Sequence, residues 1–233
     1  MKNIWKNLNM ITGGLSNPSK MPCLSYGLPA IDSCPTGKKL SKIDNAICKY
    51  CYARKGLYQF PVVKLAQQRR LSFVTAALMT TAGTKLWIDC MVASIAKTKT
   101  EYFRPHDSGD FFSFEYMLAW IDVAILSPNV KFWFVTKERA MVYKLLNGGY
   151  TLPENIVIRL SDQMIGKESS IKSSHETITN CGTLTKKETI ELKTTGKTER
   201  VGTICPAYKQ DGFCKDCRKC WDKKEPRIWY PYH

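Results

Sequence analysis

The sequence predicts an α/β fold built as a partial TIM-barrel-like parallel sheet, with cysteine-rich loops at one rim and an inserted hairpin or flap. From residue 102 onward, short apolar runs typical of strands alternate with amphipathic helical segments. Polar residues gather where the predicted strands end, which is where parallel sheets place ligand sites. The 233 residues fit a single metal-binding domain over 1–233, with residues 161–200 as the insertion.

The first 60 residues are predicted to form loops and short strands, because glycine and proline recur throughout them. Pro61 fits the first turn of a long helix, and Gly83 separates it from a second helix over residues 86–95. A short strand opens at Tyr102. The next helix, over residues 114–126, has apolar side chains at three- and four-residue spacing.

Strands and helices continue to alternate toward the carboxyl terminus. A strand over residues 130–135 precedes a helix over 138–146, which Gly148 and Gly149 end. Further strands are predicted at residues 156–160, around Ile204 and at 228–230. Successive strands joined by helices indicate parallel βαβ units.

Residues 161–200 break this alternation. They contain no aromatic residue and are rich in Ser, Thr and Lys. Such a segment after a strand end is typical of an inserted hairpin or a mobile flap. Cys181 and His175 lie within it and are interpreted as incidental.

The composition limits the classes of function. No apolar run is long enough to span a membrane, and no apolar stretch follows the first lysines as it would in a secretory signal. A reducing cytoplasm is therefore the expected setting, and a secreted module held together by disulfides is excluded. The ten cysteines need another explanation.

The charge is strongly positive. Lys and Arg total 35 against 20 Asp and Glu, which gives a formal net charge of +15. This surplus predicts a polyanionic partner such as nucleic acid, although a basic protein need not bind one. Residues 1–60 carry nine Lys or Arg together with four cysteines, so part of the surplus can instead balance a thiolate-rich site.

Four cysteines near the carboxyl end form the first metal motif, Cys205-x8-Cys214-x2-Cys217-x2-Cys220. Three thiols at successive two-residue gaps suit a [4Fe-4S] cluster, because each thiolate reaches a different iron and a remote cysteine binds the last one. Zinc, which usually takes two separated pairs of ligands, is the alternative.

A second motif near the amino end, Cys34, Cys48 and Cys51, supplies three thiols. Three ligands leave one coordination position of a metal open for chemistry or for a substrate. Alternatively, a fourth ligand comes from Cys23 or from the carboxyl-terminal motif, so the chain holds either one cluster or two. Cys90 lies among apolar residues of a predicted helix and is interpreted as part of the core.

A dense polar run follows the strand at Tyr102, and it contains three catalytic candidates, His106, Asp107 and Asp110. The two aspartates are suited to act as general bases or to bind a substrate amine. His106 is suited to bind metal or to shuttle protons. Asp110 fits equally well as the cap of the next helix.

Two further strands also end in polar residues, at 136–139 and at 159–161. The carboxyl ends of parallel strands meet at one edge of a sheet, so we expect these residues to form one polar rim with the run after Tyr102. The aromatic end of the chain, residues 229–233, is expected to dock onto the body of the protein, with base stacking as the alternative.

Motifs in order along the chain resemble an uncharacterised phage protein family labelled gene product 88. They are Pro22-Cys-Leu-Ser-Tyr-Gly-Leu-Pro-Ala30, Cys34-Pro35, Ile47-Cys-x2-Cys-Tyr-Ala53, Phe103-Arg-x-His-Asp-Ser-Gly-Asp110, Phe132-Trp133 with Lys137-Glu138-Arg139, Ile156-Val-Ile-Arg-Leu-Ser161, Cys205-Pro206, Cys214-x2-Cys-x2-Cys-Trp-Asp222 and Tyr230-Pro-x-His233. The resemblance implies a viral gene product in the cytoplasm of a bacterial host.

A more distant similarity is to radical-SAM-like phage proteins, which share the Cys-x2-Cys-Tyr-Ala loop and strands that end in Ser- and Asp-rich turns. In that superfamily three cysteines hold a cluster and S-adenosylmethionine binds the fourth iron. The resemblance implies those parts for Cys34, Cys48 and Cys51, with residues 107–110 near the methionyl amine. The spacing departs from the family pattern, because it is Cys-x13-Cys-x2-Cys and no Gly-Gly-Glu follows.

We therefore expect an iron–sulfur protein with one or two clusters, active in electron transfer or in a redox or radical reaction. A first alternative is a zinc-stabilised basic module that binds nucleic acid without catalysis. A second alternative is a protein that binds a host partner and uses its metal only for folding.

Overall fold

A computed structural model describes residues 2–169 and 175–232, and at its centre lies one parallel sheet. Its strands are β1 Ser25–Tyr26, β2 Tyr102–Pro105, β3 Lys131–Thr136, β4 Ile156–Ser161, β5 Ile178–Thr183, β6 Thr203–Ile204 and β7 Arg227–Tyr230. Their order is β1-β2-β3-β4-β5-β7-β6, and every neighbouring pair is parallel. The predicted α/β class and parallel pairing are confirmed, and the sheet is open at β1 and β6.

Helices occupy most of the connections between these strands. They are α1 Lys2–Thr12, α2 Pro35–Leu40, α3 Pro61–Ala77, α4 Thr81–Lys97, α5 Phe114–Ile125, α6 Arg139–Asn147 and α7 Lys186–Thr195. The helix expected over 86–95 begins earlier, because the Thr80 hydroxyl accepts a hydrogen bond from the Gly83 amide and caps it. None of the helices in the described ranges has the length and apolar character needed to cross a membrane.

One face of the sheet carries the main hydrophobic core. Phe103, Phe132 and Phe134 point from β2 and β3 into this core, beneath α3, α4 and α5. Trp87 of α4 and Trp120 of α5 meet edge to face with ring centroids 5.4 Å apart. Burial of large aromatic side chains on this scale fixes the strands relative to the helices.

The carboxyl-terminal segment, residues 205–225, packs on the opposite face of the sheet. Side chains alternate along a strand, so Trp133 points away from its neighbours on β3. Trp133 and Cys181 pack there with Cys220 and Trp221 from the segment. The indole of Trp221 donates to the Phe103 carbonyl at 3.0 Å, which fastens the segment across β2 and β3.

Arg159 of β4 also holds this segment. Its side chain is fully buried. The guanidinium donates to the carbonyls of Lys219, Cys220, Asp222 and Glu225, at distances of 2.9, 3.1, 2.9 and 2.8 Å. The end of the chain continues into β7 beside β5, so the expectation that it docks onto the body is confirmed through Tyr232. His233 lies outside the described residues.

The prediction that residues 161–200 form an inserted hairpin is wrong. They contain β5, which lies between β4 and β7 and pairs in parallel with both, and α7. The strand is hard to recognise because Ile178 is its only aliphatic residue, while Thr179 is buried and Asn180 and Thr183 are half-buried between neighbouring strands. Gly182 is required there, because a Cβ would lie 2.6 Å from Trp229. Residues 170–174 of the expected flap lie outside the described residues.

The amino-terminal region also differs from the prediction of loops and short strands. Residues 2–12 form α1, in which Leu8 and Thr12 are buried. The hydroxyl of Tyr26 donates to the Thr12 carbonyl at 2.5 Å, so the end of this helix is joined to β1. Glycine-rich sequence after the helix concealed it, since Gly13 and Gly14 follow with positive φ angles of 78° and 83°.

Candidate functional site

Polar side chains that follow β2, β3 and β4 meet at one edge of the sheet. Asp110 accepts hydrogen bonds from the Thr136 hydroxyl at 2.6 Å and from the Lys137 amide at 2.9 Å. The Lys137 ammonium donates to Ser161 Oγ at 2.6 Å and to the Asp162 carbonyl at 2.7 Å. The predicted polar rim is therefore confirmed for Asp110, Thr136, Lys137 and Ser161, whereas the Arg159 side chain, also expected there, binds carbonyls of residues 219–225.

Asp110 is a buried carboxyl at the centre of this rim. Burial raises its pKa to about 7, although the hydrogen bonds from Thr136 and Lys137 favour the ionised form. The alternative that Asp110 caps α5 is wrong, because the Ser113 hydroxyl accepts from the Tyr116 amide in that position. Asp110 can thus gain or lose a proton near neutral pH, as a general base must.

Asp107 is surrounded by hydroxyl groups. Its Oδ1 lies 2.6 Å from Ser25 Oγ and 3.3 Å from Ser16 Oγ, and its Oδ2 accepts from the Tyr58 hydroxyl at 2.8 Å. The Tyr52 hydroxyl donates to the Asp107 carbonyl. Asp107 therefore ties the loop that contains both tyrosines to the edge of β1 and β2.

His106 lies among aromatic rings. Its ring centroid is 4.8 Å from that of Phe111 and 5.4 Å from that of Tyr116, and its Nε2 lies 3.1 Å from the Tyr116 hydroxyl. Its Nδ1 has no hydrogen-bond partner among the described residues. Burial lowers the pKa of His106 to about 3, so the ring is neutral at pH 7. Its roles in metal binding or proton transfer stay predictions.

The amino-terminal thiols lie beside the rim. The Glu138 carboxylate accepts from both the amide and the hydroxyl of Thr36, each at 2.7 Å, and so fixes the start of α2 after Cys34. Gly37 leaves room for two cysteines, because a Cβ there would lie 2.8 Å from Cys34 Cβ and 3.5 Å from Cys48 Sγ. The fold therefore brings these two cysteines together from positions 14 residues apart in sequence.

Charged residues of the rim act on these thiols. Burial raises the pKa of Cys48 to about 11, and it also raises the pKa of Cys34 and Cys51. The Asp110 carboxylate raises the pKa of Cys34 and Cys48 further. The Lys137 ammonium lowers the pKa of Cys48 and Cys51, so it is the cation that a thiolate of this group would face.

The carboxyl-terminal thiols lie on the second face of the sheet, around Arg104. Burial raises the pKa of Cys205 to about 11 and that of Cys220 to about 12, while Arg104 lowers both. Arg104 also lowers the pKa of Cys214 against the effect of burial. Charges on Cys214 and Cys217 would raise the pKa of Cys205, which shows that these thiols are neighbours.

Arg104 connects the two cysteine regions. Its guanidinium stacks over the Trp133 ring, 4.3 Å from the centroid. One guanidinium nitrogen donates to the Tyr52 hydroxyl at 3.2 Å, and another lies 3.2 Å from the sulfur of Met21. Tyr52 follows Cys51 directly, so Arg104 extends from the carboxyl-terminal thiols to the loop of the amino-terminal ones.

Two further cysteines lie on the same face: Cys23, which the sequence offered as a possible fourth ligand, and Cys181, interpreted from the sequence as incidental. Burial raises the pKa of Cys23 to about 12, and the nearby Arg104 guanidinium lowers it. Cys181 is buried on β5, next to Tyr230, and the Tyr230 hydroxyl lies 3.4 Å from Cys220 Sγ. Cys181 is therefore part of the sheet, and only recognition of β5 as a strand would have revealed it.

All ten cysteines are free thiols. Within the described residues, no three side chains of Cys, His, Asp or Glu are arranged to hold a metal ion. Each cysteine motif thus gathers its thiols in one region without a converged set of ligands. The assignment of Cys34, Cys48, Cys51, Cys205, Cys214, Cys217 and Cys220 as metal ligands stays a prediction.

Both cysteine motifs and the polar rim fall within a span that matches a known family. Residues 2–223 match the family described as gene product 88. The chain belongs to this phage protein family. Membership in the gene product 88 family thus covers every cysteine and catalytic candidate named above. No curated protein and no solved structure matches the chain significantly.

Proposed function

We propose that this member of the gene product 88 family is an iron–sulfur protein with a redox role, whose carboxyl-terminal thiols hold a [4Fe-4S] cluster. The observation that carries the proposal is the gathering of Cys205, Cys214 and Cys220 around the half-buried Arg104. Cys217 belongs to the same run, because its amide donates to the Cys214 carbonyl at 3.0 Å. Thiolates are the usual ligands of such clusters.

The surroundings of these thiols fit a cluster in charge and in solvent access. Four thiolates around a cubane of core charge 2+ carry a net charge on the order of −2, and the Arg104 guanidinium offsets part of it. The rings of Trp133 and Trp221, 5.0 Å apart, cover the same face of the sheet. Exclusion of water and hydrogen bonds to sulfur are the means by which a protein sets a cluster's potential.

Two arginines, Arg104 and Arg159, support metal binding by the carboxyl-terminal thiols. A thiol must lose its proton to bind metal, and Arg104 lowers the pKa of Cys205, Cys214 and Cys220 against the effect of burial. Arg159 fixes the backbone on both sides of Cys220 through four carbonyls. When bound, the cluster would supply the capacity to accept and release one electron.

The amino-terminal thiols are proposed to hold a second metal with an open coordination position, or to complete the first site. Cys34, Cys48 and Cys51 are supported in this role by the Lys137 ammonium, which lowers the pKa of Cys48 and Cys51 against the effect of burial. Such a position would accept a substrate or S-adenosylmethionine, as the radical-SAM resemblance implies. Asp107 is proposed to position the surrounding loop, to which Tyr52 and Tyr58 join it, rather than to bind the metal. Proton transfer is the role proposed for His106.

Two further parts of the proposal concern the curvature of the sheet and the cellular compartment of the protein. We propose a barrel-like curvature because strands β1 to β5 lie side by side in the order in which they occur along the chain, as strands do in singly wound barrels. The cytoplasm of a bacterial host is proposed on membership in a phage family, and it would keep the thiols reduced.

Metal and sulfide analysis of anaerobically purified protein tests the proposal. We expect about four irons and four sulfides per cluster, with broad visible absorbance. Cys217→Ala should lose the iron of the carboxyl-terminal site, whereas Cys90→Ala, which changes a thiol on α4, should retain it. Full iron retention in Cys217→Ala would contradict the ligand assignment.

Zinc is the competing occupant of the same thiols. It would make the chain a basic module that binds nucleic acid, and the absence of Asp and Glu from residues 45–88 favours an anionic partner. Zinc without sulfide, together with salt-dependent retention on heparin, would establish this function in place of the redox role. An inert metal and stoichiometric capture of one host protein would instead identify a host-interaction protein.

A further inference from the structure

An exposed apolar patch lies next to the amino-terminal cysteine loop. Leu57, Phe60, Val62 and Leu65 fall within nine residues of sequence and are 63%, 54%, 71% and 70% exposed. Val62 and Leu65 lie one turn apart on α3, and the other two lie in the short turn that leads into this helix. Exposed apolar side chains clustered in this way mark surfaces that bind a partner.

Positive charge surrounds this patch. Residues 45–88 contain no Asp or Glu and seven Lys or Arg, namely Lys49, Arg54, Lys55, Lys64, Arg69, Arg70 and Lys85. Arg54, Lys55 and Lys64 are exposed beside the apolar side chains. A surface of this kind attracts a partner whose contact face carries carboxylates, since complementary charge accelerates association and orients it.

The aliphatic centre of the patch favours a protein over a nucleic acid. Three of its four side chains, Leu57, Val62 and Leu65, offer no ring on which a base could stack, Phe60 supplies a single ring, and none of the four offers a donor for a phosphate. An apolar centre with a charged rim is instead the usual anatomy of a protein–protein interface.

We propose that this surface docks a small acidic electron-carrier protein. The proposal rests on the redox function proposed above, because a cluster that accepts electrons needs a one-electron donor. In the docked complex the reduced carrier loses one electron and the cluster gains it, with no bond broken and no proton transferred.

The position of the patch is consistent with electron entry at the amino-terminal cysteines. Cys51 is followed by Tyr52, whose ring lies 5.8 Å from that of Tyr58 in the turn that carries Leu57. Tyr58 in turn donates to Asp107 at 2.8 Å. A carrier bound over Leu57 would therefore face the loop of Cys48 and Cys51, which Arg104 connects through Tyr52 to the thiols of the proposed carboxyl-terminal cluster.

Binding of two probes to the anaerobically purified protein tests the proposal. A bacterial flavodoxin and a plant-type [2Fe-2S] ferredoxin, both acidic, are titrated at low ionic strength, where charge attraction is least screened. We expect at least one to bind, and Leu57→Ser with Leu65→Ser to weaken that binding about tenfold or more. Both leucines are exposed, so the variant should fold. Ile190→Ser on α7, where the side chain is 57% exposed, is the matched control and should bind normally.

A charge-reversal pair tests the basic rim separately. Lys55→Glu with Lys64→Glu should weaken binding and flatten its salt dependence, while Lys187→Glu on α7 should change neither. Unchanged affinity in the leucine variant, or no binding of either probe, would overturn the proposal. The proposal would also be overturned if neither carrier binds and the protein instead binds single-stranded DNA, with that binding abolished by the same variants.

Iron analysis of the same samples separates the two proposals. If the protein binds a carrier but contains no iron, the proposed docking surface is supported and the proposed cluster is contradicted. If the protein contains iron and sulfide but binds neither carrier, the proposed cluster is supported and the proposed docking surface is contradicted.

Discussion

At the scale of single residues, the half-buried Arg104 and the buried Lys137 each lie beside a group of largely half-buried thiols. Arg104 faces Cys205 and Cys220, and Lys137 faces Cys48, and each cation lowers a thiol pKa that burial raises. Without metal these thiols are protonated at neutral pH and therefore poor nucleophiles. A metal that replaces their protons would place negative charge where the fold already holds positive charge.

Asp110 makes the stability of the protein depend on pH. Its pKa rises from 3.8 to about 7 on folding, so the folded state holds more protons and stability falls as pH rises from about 4 to about 7. Asp110→Asn removes this dependence. As pH rises from 5 to 8, the free energy of unfolding of the variant should increase relative to that of the unmodified protein by roughly 2 kcal/mol, as measured by urea unfolding.

His106 supplies a control of opposite sign. Burial lowers the pKa of this side chain to about 3, so the unfolded state holds more protons and stability falls as pH drops below about 6.5. His106→Phe should therefore gain relative stability at pH 5 rather than at pH 8. Parallel stability profiles for Asp110→Asn and the unmodified protein would show that Asp110 does not titrate in this range.

At the scale of secondary structure, one strand organises the carboxyl-terminal cysteine segment. Arg159 of β4 is buried, and within the part of the chain that the structure describes its guanidinium binds main-chain carbonyls of residues 219–225 and no carboxylate. Residues 205–225 have little regular structure of their own beyond the short turns Pro206–Lys209 and Lys219–Trp221. The conformation of this segment therefore depends on this one side chain and on the packing of Trp221.

Arg159→Met should release this segment while keeping the volume of the side chain. Four carbonyls would lose their donor, so we expect the free energy of unfolding to fall by about 3 kcal/mol or more. Hydrogen exchange should accelerate at residues 219–225 before it does so in α5. Lys131→Met, which changes an exposed cation on β3, is the control, and equal exchange in both variants would refute the role of Arg159.

At the scale of the whole molecule, the two cysteine motifs occupy different environments. Cys34 and Cys48 lie beside the rim at the carboxyl ends of β2 and β3, where Lys137 and Asp110 act on them. Of the carboxyl-terminal thiols, Cys205 and Cys220 pack with Trp133 on one face of the sheet. This arrangement favours two separate metal sites over one shared site.

Cysteine variants count these sites. In a protein with two sites, Cys48→Ala should lower the iron content by about half, because the thiols around Arg104 keep their own cluster. Cys217→Ala should remove the other half. Loss of all iron in either single variant, measured after anaerobic reconstitution, would indicate one site shared by both motifs.

Much of the fold could be predicted from local patterns. The strands at 102–105, 131–136 and 156–161 and the helices between them follow apolar periodicity, which depends only on neighbouring residues. The polar rim follows as well, because parallel strands in sequence order bring their carboxyl ends together. β5 and α1 escaped prediction, since β5 is polar and buried by its neighbours and α1 precedes a run rich in glycine and proline.

The α/β class, the parallel pairing and the two cysteine motifs can be predicted from the chain of amino acids alone, because spacing and periodicity are properties of local chain geometry. Folding in three dimensions is needed to place Arg104 among the carboxyl-terminal thiols, to bring Cys23 and Cys181 to their face, and to make Ser113 the cap of α5 in place of Asp110. These features join residues far apart in sequence. Their contacts and pKa shifts arise from burial and neighbouring charge, which no local pattern records.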